Sequence, residues 1–113
     1  MDHNKQLQEA IASLRKEFRE VVIIYGDYYY AFEYVLRSAG TFEKSVALKS
    51  CCEIGGANNY DGKRQCGAAG VPVCQNPAKF ISWDGVHLTQ KAYRLMSKFF
   101  NTQILSQIKW IRA

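Results

Sequence analysis

The sequence predicts an α/β layered fold, present only in part, and three observations carry that reading. Apolar residues at helical spacing precede a short β-branched run, and a second helix signature follows the run. A continuous β-branched segment suits a strand covered on both faces, as in a parallel sheet between helices. One weaker strand signal accompanies it, around Val46 to Leu48, whereas a stable sheet generally needs roughly three strands or more. The expected sheet is therefore incomplete.

Each element follows in chain order. Between Asn4 and Phe18, residues Leu7, Ile11, Leu14 and Phe18 share one face, with Gln8, Glu9 and Lys16 opposite, which predicts an amphipathic helix with one buried stripe. Val21-Val22-Ile23-Ile24-Tyr25 is the expected strand. Gly26-Asp27 ends it, and Asp27 is placed to cap a helix carrying Phe32, Val35 and Leu36. Gly40 stands where a C-terminal helix cap belongs. Residues 41–82 have little periodicity and hold five of the eight glycines and all four cysteines. A structureless stretch of ~40 residues is unusual in a compact domain unless it is functional or cross-linked. After Trp83 to Leu88 a last helix begins, capped by Thr89 and expected to bury Ala92, Tyr93, Met96 and Phe100. Ile104, Ile108 and Ile111 continue its spacing.

With 113 residues, 48% apolar and 22% charged, the chain is one globular domain or a piece of one. No unbroken apolar run exceeds the length of Val21 to Tyr25, far below the ~18 residues of a membrane span. Lys and Arg number 15 against 10 Asp and Glu, a net charge of +5. These basic residues scatter from Lys5 to Arg112, with Arg15-Lys16 and Lys63-Arg64 as the longest runs. A solvated surface fits that scatter better than a nucleic-acid face, which concentrates charge and interleaves it with aromatics.

The cysteines are more informative. Cys51, Cys52, Cys66 and Cys74 lie within one Gly-rich segment, which reads as a disulfide-stapled excursion in an oxidising compartment. The start, Met1-Asp2-His3-Asn4-Lys5-Gln6, lacks the apolar centre of a secretion leader. Two resolutions stay open: the thiols are reduced or hold metal, or the natural N-terminus lies upstream and this chain is a fragment. The spacing lacks paired Cys-x-x-Cys knuckles, which disfavours zinc. Adjacent cysteines rarely bridge one another, so Cys51 and Cys52 are expected to take separate partners, Cys66 and Cys74. The connectivity is open.

Chemistry concentrates in Trp83-Asp84-Gly85-Val86-His87-Leu88-Thr89, just before the last helix. An Asp and a His three apart, in a turn relaxed by Gly85, can join a carboxylate to one imidazole nitrogen. That contact orients the ring and leaves its other nitrogen free to take a proton from a nucleophile. No Gly-x-Ser-x-Gly elbow occurs. Ser13, Ser45, Ser97 and Ser106 read as ordinary surface or helix residues, His3 as a polar residue at a helix start, and Trp83 and Tyr93 as packing residues.

These residues closely resemble the plant GDSL esterase/lipase family, a branch of the SGNH hydrolases. The resemblance runs through His3-Asn4, Leu7 and Leu14-Arg15, then Ile24-Tyr25-Gly26-Asp27-Tyr28-Tyr29. It continues in Cys51-Cys52 to Gly55-Gly56, Cys66-Gly67, Cys74-x-x-Pro77, the Trp83 to Thr89 block and Ala92-Tyr93, covering about residues 3 to 100. It implies the C-terminal part of a three-layer α/β/α, flavodoxin-like domain over residues 1–113, with a Cys-rich loop at 41–82 and a catalytic turn at 83–89. His87 resembles the catalytic base and Asp84 the acid that orients it. The nucleophilic Ser of the family, and the Gly and Asn that complete its oxyanion hole, have no counterpart here. Two local echoes do not fill the gap. Gly26-Asp27-Tyr28 carries Tyr where the nucleophile motif carries Ser, so Asp27 is read as a cap, and Gly56-Ala57-Asn58-Asn59 belongs beside the Cys pair.

The resemblance implies a secreted carboxylic ester hydrolase acting on a small-molecule or lipid ester. It implies no metal, no organic cofactor, no nucleic acid and no transmembrane segment. This chain alone is expected to be inactive, because the nucleophile would lie in a missing N-terminal part of the domain. A different class of reading is a non-catalytic secreted binding or decoy module that docks through open sheet edges. A weaker one is an intracellular zinc protein.

Overall fold

A computed structural model of the chain describes residues 2–111. Three helices carry it: α1, Asp2–Glu17; α2, Tyr28–Arg37; and α3, Gln90–Ile111. Short 3-10 turns lie at Ala39–Thr41, Ala57–Asn59 and Pro77–Lys79. Among the described residues, strand pairing is limited to isolated bridges, parallel between Ser50 and Ser82 and antiparallel from Cys52 to Val73 and from Ser82 to Leu88.

The expected sheet is therefore not formed. Val21 to Tyr25 has no strand beside it to take its backbone hydrogen bonds or cover its faces, and Val21 and Val22 stay 55% and 59% exposed. Val46 to Leu48 is turn, not strand, because the Val46 N–H donates to the Glu43 carbonyl and the Lys49 N–H to the Val46 carbonyl. The stripe on α1 forms but is not buried. Leu7, Leu14 and Phe18 remain exposed, and no α1 residue is buried. An amphipathic face needs a surface to cover, and no sheet among the described residues offers one.

The core lies between α2 and α3. Ala31 and Val35 on one face of α2 meet Ala92 and Met96 on one face of α3, closed by Phe42, Ala47 and Ile81. Each helical pair has i, i+4 spacing, which stacks the side chains on one face. Tyr93 is exposed, contrary to expectation, since one residue's step turns it about 100° from the buried Ala92.

The caps explain where the helices begin. The Asp27 carboxylate accepts from the Tyr30 N–H at 3.0 Å and starts α2. The buried Thr89 hydroxyl accepts from the Ala92 N–H at 3.3 Å and donates to the Phe80 carbonyl at 2.8 Å, starting α3. Gly40 is not a cap. α2 ends at Ser38, whose N–H returns to the Tyr34 carbonyl, and Gly40 falls in the turn that follows.

Candidate functional site

The site is built on the turn that joins the Cys-rich loop to α3. Its floor is the segment Ser50 to Cys52. Here the Cys51 N–H donates to the Ser82 carbonyl at 3.0 Å and the Cys52 N–H to the Trp83 carbonyl at 2.8 Å. Cys51 is bridged to Cys74 and Cys52 to Cys66, so the adjacent cysteines take separate partners as expected and none is free. All four sulfurs are thereby spent, which removes the thiolates that the zinc reading required. Among the described residues no three His, Cys, Asp or Glu side chains gather as a metal-binding group.

On that floor the turn folds back on itself. The Trp83 N–H donates to the His87 carbonyl at 2.8 Å, and the Thr89 N–H to the Ile81 carbonyl at 2.8 Å. Gly85 has φ +87°, the left-handed region that favours glycine. A Cβ there would also land on the Tyr60 ring. Tyr60 follows Asn58 and Asn59, both at positive φ, and the Asn59 side-chain amide donates to the Ser50 carbonyl at 3.0 Å. One brace therefore runs from the floor through Tyr60 to the turn. The residues 25 apart in sequence gave no local signal of that contact; only the glycine itself hinted at a close approach.

Asp84 and His87 are brought together. Asp84 Oδ2 lies 2.7 Å from His87 Nδ1. Asp84 Oδ1 accepts from the Val86 N–H at 2.9 Å and the His87 N–H at 2.6 Å. Burial pushes the Asp84 carboxyl up, but the His87 ring and these two backbone donors outweigh it and hold the group below its ordinary value. The side chain of Asp84 is 19% exposed and that of His87 66%. The acid is thus sheltered and fixed, while the imidazole faces open space with Nδ1 engaged. Such a pair can hold one tautomer and present Nε2 to a proton donor.

The other residues singled out from the sequence do not join this pair. Ser13, Ser45, Ser97 and Ser106 are exposed elsewhere, and His3 lies in α1, 3.2 Å from the Asn4 side-chain oxygen. Trp83 is half-buried beside the turn. His87 stands at the rim of a groove of about 440 Å³ between α2 and the turn, and at the edge of a second cleft of about 410 Å³ that also holds Asp84 and Arg64.

Residues 1–100 match the family model described as GDSL-like lipase/acylhydrolase. A GDSL esterase/lipase of Arabidopsis thaliana is 80% identical over 113 residues, which is all of this chain and 35% of that protein. Acetylajmalan esterase 1 of Rauvolfia serpentina is 46% identical over 108 residues, 94% of this chain and 28% of the esterase. Acetylajmalan esterase 2 of the same plant is 47% identical over 106 residues, 94% of this chain and 29% of the esterase. The chain thus spans about a third of the length of the curated relatives it matches. No solved structure matches it.

Proposed function

This chain belongs to the GDSL-like lipase/acylhydrolase family, and on that premise we propose that it carries the base and the orienting acid of a Ser-His-Asp ester hydrolase. The single observation behind the proposal is the 2.7 Å contact of Asp84 with His87 Nδ1, made by a sheltered carboxylate to an exposed ring. Residues 1–113 are then the C-terminal part of a three-layer α/β/α domain, and the nucleophilic Ser and its oxyanion donors come from polypeptide outside this chain. The paired disulfides support a secreted setting for the whole protein. No helix among the described residues is long and apolar enough to cross a membrane.

In the assembled site the Ser hydroxyl attacks the ester carbonyl while His87 Nε2 takes its proton. Asp84 stabilises the imidazolium, which then gives the proton to the departing alcohol. A water molecule, deprotonated by the same nitrogen, releases the acyl group and returns the hydroxyl to Ser. Acetylajmalan esterases are named for an acetyl ester, and simple acetates are accordingly the first substrates to assay.

The test grafts the 113 residues into the Arabidopsis relative in place of its matching segment. The expected result is turnover of p-nitrophenyl acetate by the graft and none by the chain alone. His87→Ala should then cost about 10³-fold or more in kcat, and Asp84→Asn about 10²–10⁴-fold. A folded graft that keeps full activity after His87→Ala overturns the assignment.

A further inference from the structure

We propose that Tyr60 is a positioning residue for the reaction, its ring holding Gly85 in the one backbone conformation that joins Asp84 to His87; this rests on the catalytic reading above. Gly85 lies between the two residues, at φ +87°. Glycine populates many other conformations at little cost, and most of them would part the carboxylate from the ring. The base of the turn is well anchored, since Cys51 and Cys52 donate to the Ser82 and Trp83 carbonyls and Thr89 to the Ile81 carbonyl. Its tip is not, because Gly85, Val86 and His87 are exposed. The hydrogen bonds of Asp84 with Val86 and His87, and of Gly85 with the Ser82 hydroxyl, are made at that exposed tip, where water competes for the same groups.

Tyr60 supplies the missing restraint. Its ring atoms Cγ, Cδ2 and Cε2 occupy the space beside Gly85 that a Cβ would need, so the ring rests on the glycine itself. A ring can act as a stop only if its own backbone is held, and here it is held from both sides. Before it, the Asn58 and Asn59 carbonyls accept from the Ser50 and Ile54 N–H groups at 2.9 and 3.3 Å, and the Ser50 hydroxyl donates to the Asn59 carbonyl at 2.7 Å. Gly56 leaves room for the Tyr60 carbonyl, on which a Cβ would land. After it, the Arg64 N–H donates to the Asp61 carbonyl at 3.2 Å, the Arg64 guanidinium donates to the Ile54 carbonyl, and the Cys52–Cys66 disulfide closes the loop. Ser50 and Cys52 also belong to the floor that carries the base of the turn, so base and tip are tied to one frame. Tyr60 is 46% exposed and lies outside the core between α2 and α3, so core packing does not account for its placement.

Kinetics of the graft with p-nitrophenyl acetate and p-nitrophenyl butyrate test the proposal. Tyr60→Ala should lower kcat about 10–100-fold for both esters and leave KM unchanged, because a small misplacement of a reacting group is costly in rate. Tyr60→Phe keeps the ring face and should keep kcat. A second readout separates positioning from plain stability. At mildly alkaline pH, where imidazole is neutral, the ring ¹⁵N resonances of His87 in the 113-residue chain should show the Nδ1–H tautomer in the parent and in Tyr60→Phe. Tyr60→Ala should show a mixture of both tautomers. If Tyr60→Ala does not fold, Tyr60→Leu, which keeps apolar bulk without the flat face, should show the same two changes in smaller measure. An unchanged kcat and a single tautomer in the ring-less variant, with His87-dependent turnover intact, overturn the proposal. So does a loss seen only in KM or with only one ester, which would make Tyr60 a substrate contact, and so does an equal loss in Tyr60→Phe, which would assign the effect to the hydroxyl. Turnover that ignores His87 overturns the catalytic reading instead.

Discussion

Asp84 spends both carboxylate oxygens on its own turn, one on the ring of His87 and one on two backbone N–H groups. The residue therefore has a structural task as well as a proposed chemical one. Because His87 is two-thirds exposed, solvent screens its contact with Asp84, which contributes at most about 1 kcal/mol. The two backbone hydrogen bonds bring the expected cost of Asp84→Ala to about 1–2 kcal/mol at neutral pH. A carboxyl whose folded value is depressed stabilises the fold above its unfolded value and stops doing so as pH falls through the folded one. The deficit of Asp84→Ala should thus be complete above the ordinary value of 3.8 and shrink below it. Urea unfolding of both proteins at neutral pH and near pH ~2 checks this, and an undiminished deficit in acid would contradict it. The pair was legible in the sequence because three residues and a glycine suffice to form it. The Tyr60 brace beneath Gly85 was not, since nothing local records a contact made across the loop.

The elements show the same division between local and distant causes. Both caps, Asp27 and Thr89, were readable because a capping side chain bonds to a backbone group within its own first turn. Thr89 does more than cap, since its hydroxyl also donates to Phe80 and so joins α3 to the strand-like segment that leads into the turn. Thr89→Val keeps the shape and removes both hydrogen bonds in a buried position. It should cost about 2 kcal/mol, or a fall in Tm of roughly 8–16 °C for a domain of this size, while Thr89→Ser should recover most of it. Thermal unfolding of the two variants decides the point, and a Thr89→Val protein as stable as the parent, with the loss confined to Thr89→Ser, would mean that packing of the methyl group, not the hydroxyl, sets the cost. The strand at Val21 to Tyr25 and the burial of α1 were misread for the opposite reason. Their periodicities are real, but each describes a face that needs a partner, and periodicity carries no information on whether the partner is present.

At the scale of the whole molecule those uncovered faces shape everything. The radius of gyration is 17.9 Å and the extents are 53 × 29 × 23 Å, against about 13 Å for a compact domain of this length. Among the described residues only the α2–α3 half and the disulfide-braced loop have interiors. Leu14, 41% exposed on α1, and Met96, 3% exposed in the core, are therefore of unequal worth. In the chain alone Leu14→Gln should change the unfolding free energy by less than ~0.5 kcal/mol, and Met96→Ala should cost about 2–5 kcal/mol. If the chain completes a larger α/β/α domain, the stripe on α1 becomes a core face there, and in the grafted relative Leu14→Gln should cost about 1–3 kcal/mol, from the buried apolar side chain it removes. Denaturant titrations of the same two substitutions in both settings separate the cases. A Leu14 that matters equally little in the graft would mean that α1 covers nothing, and the layered-domain reading would lose its main physical support.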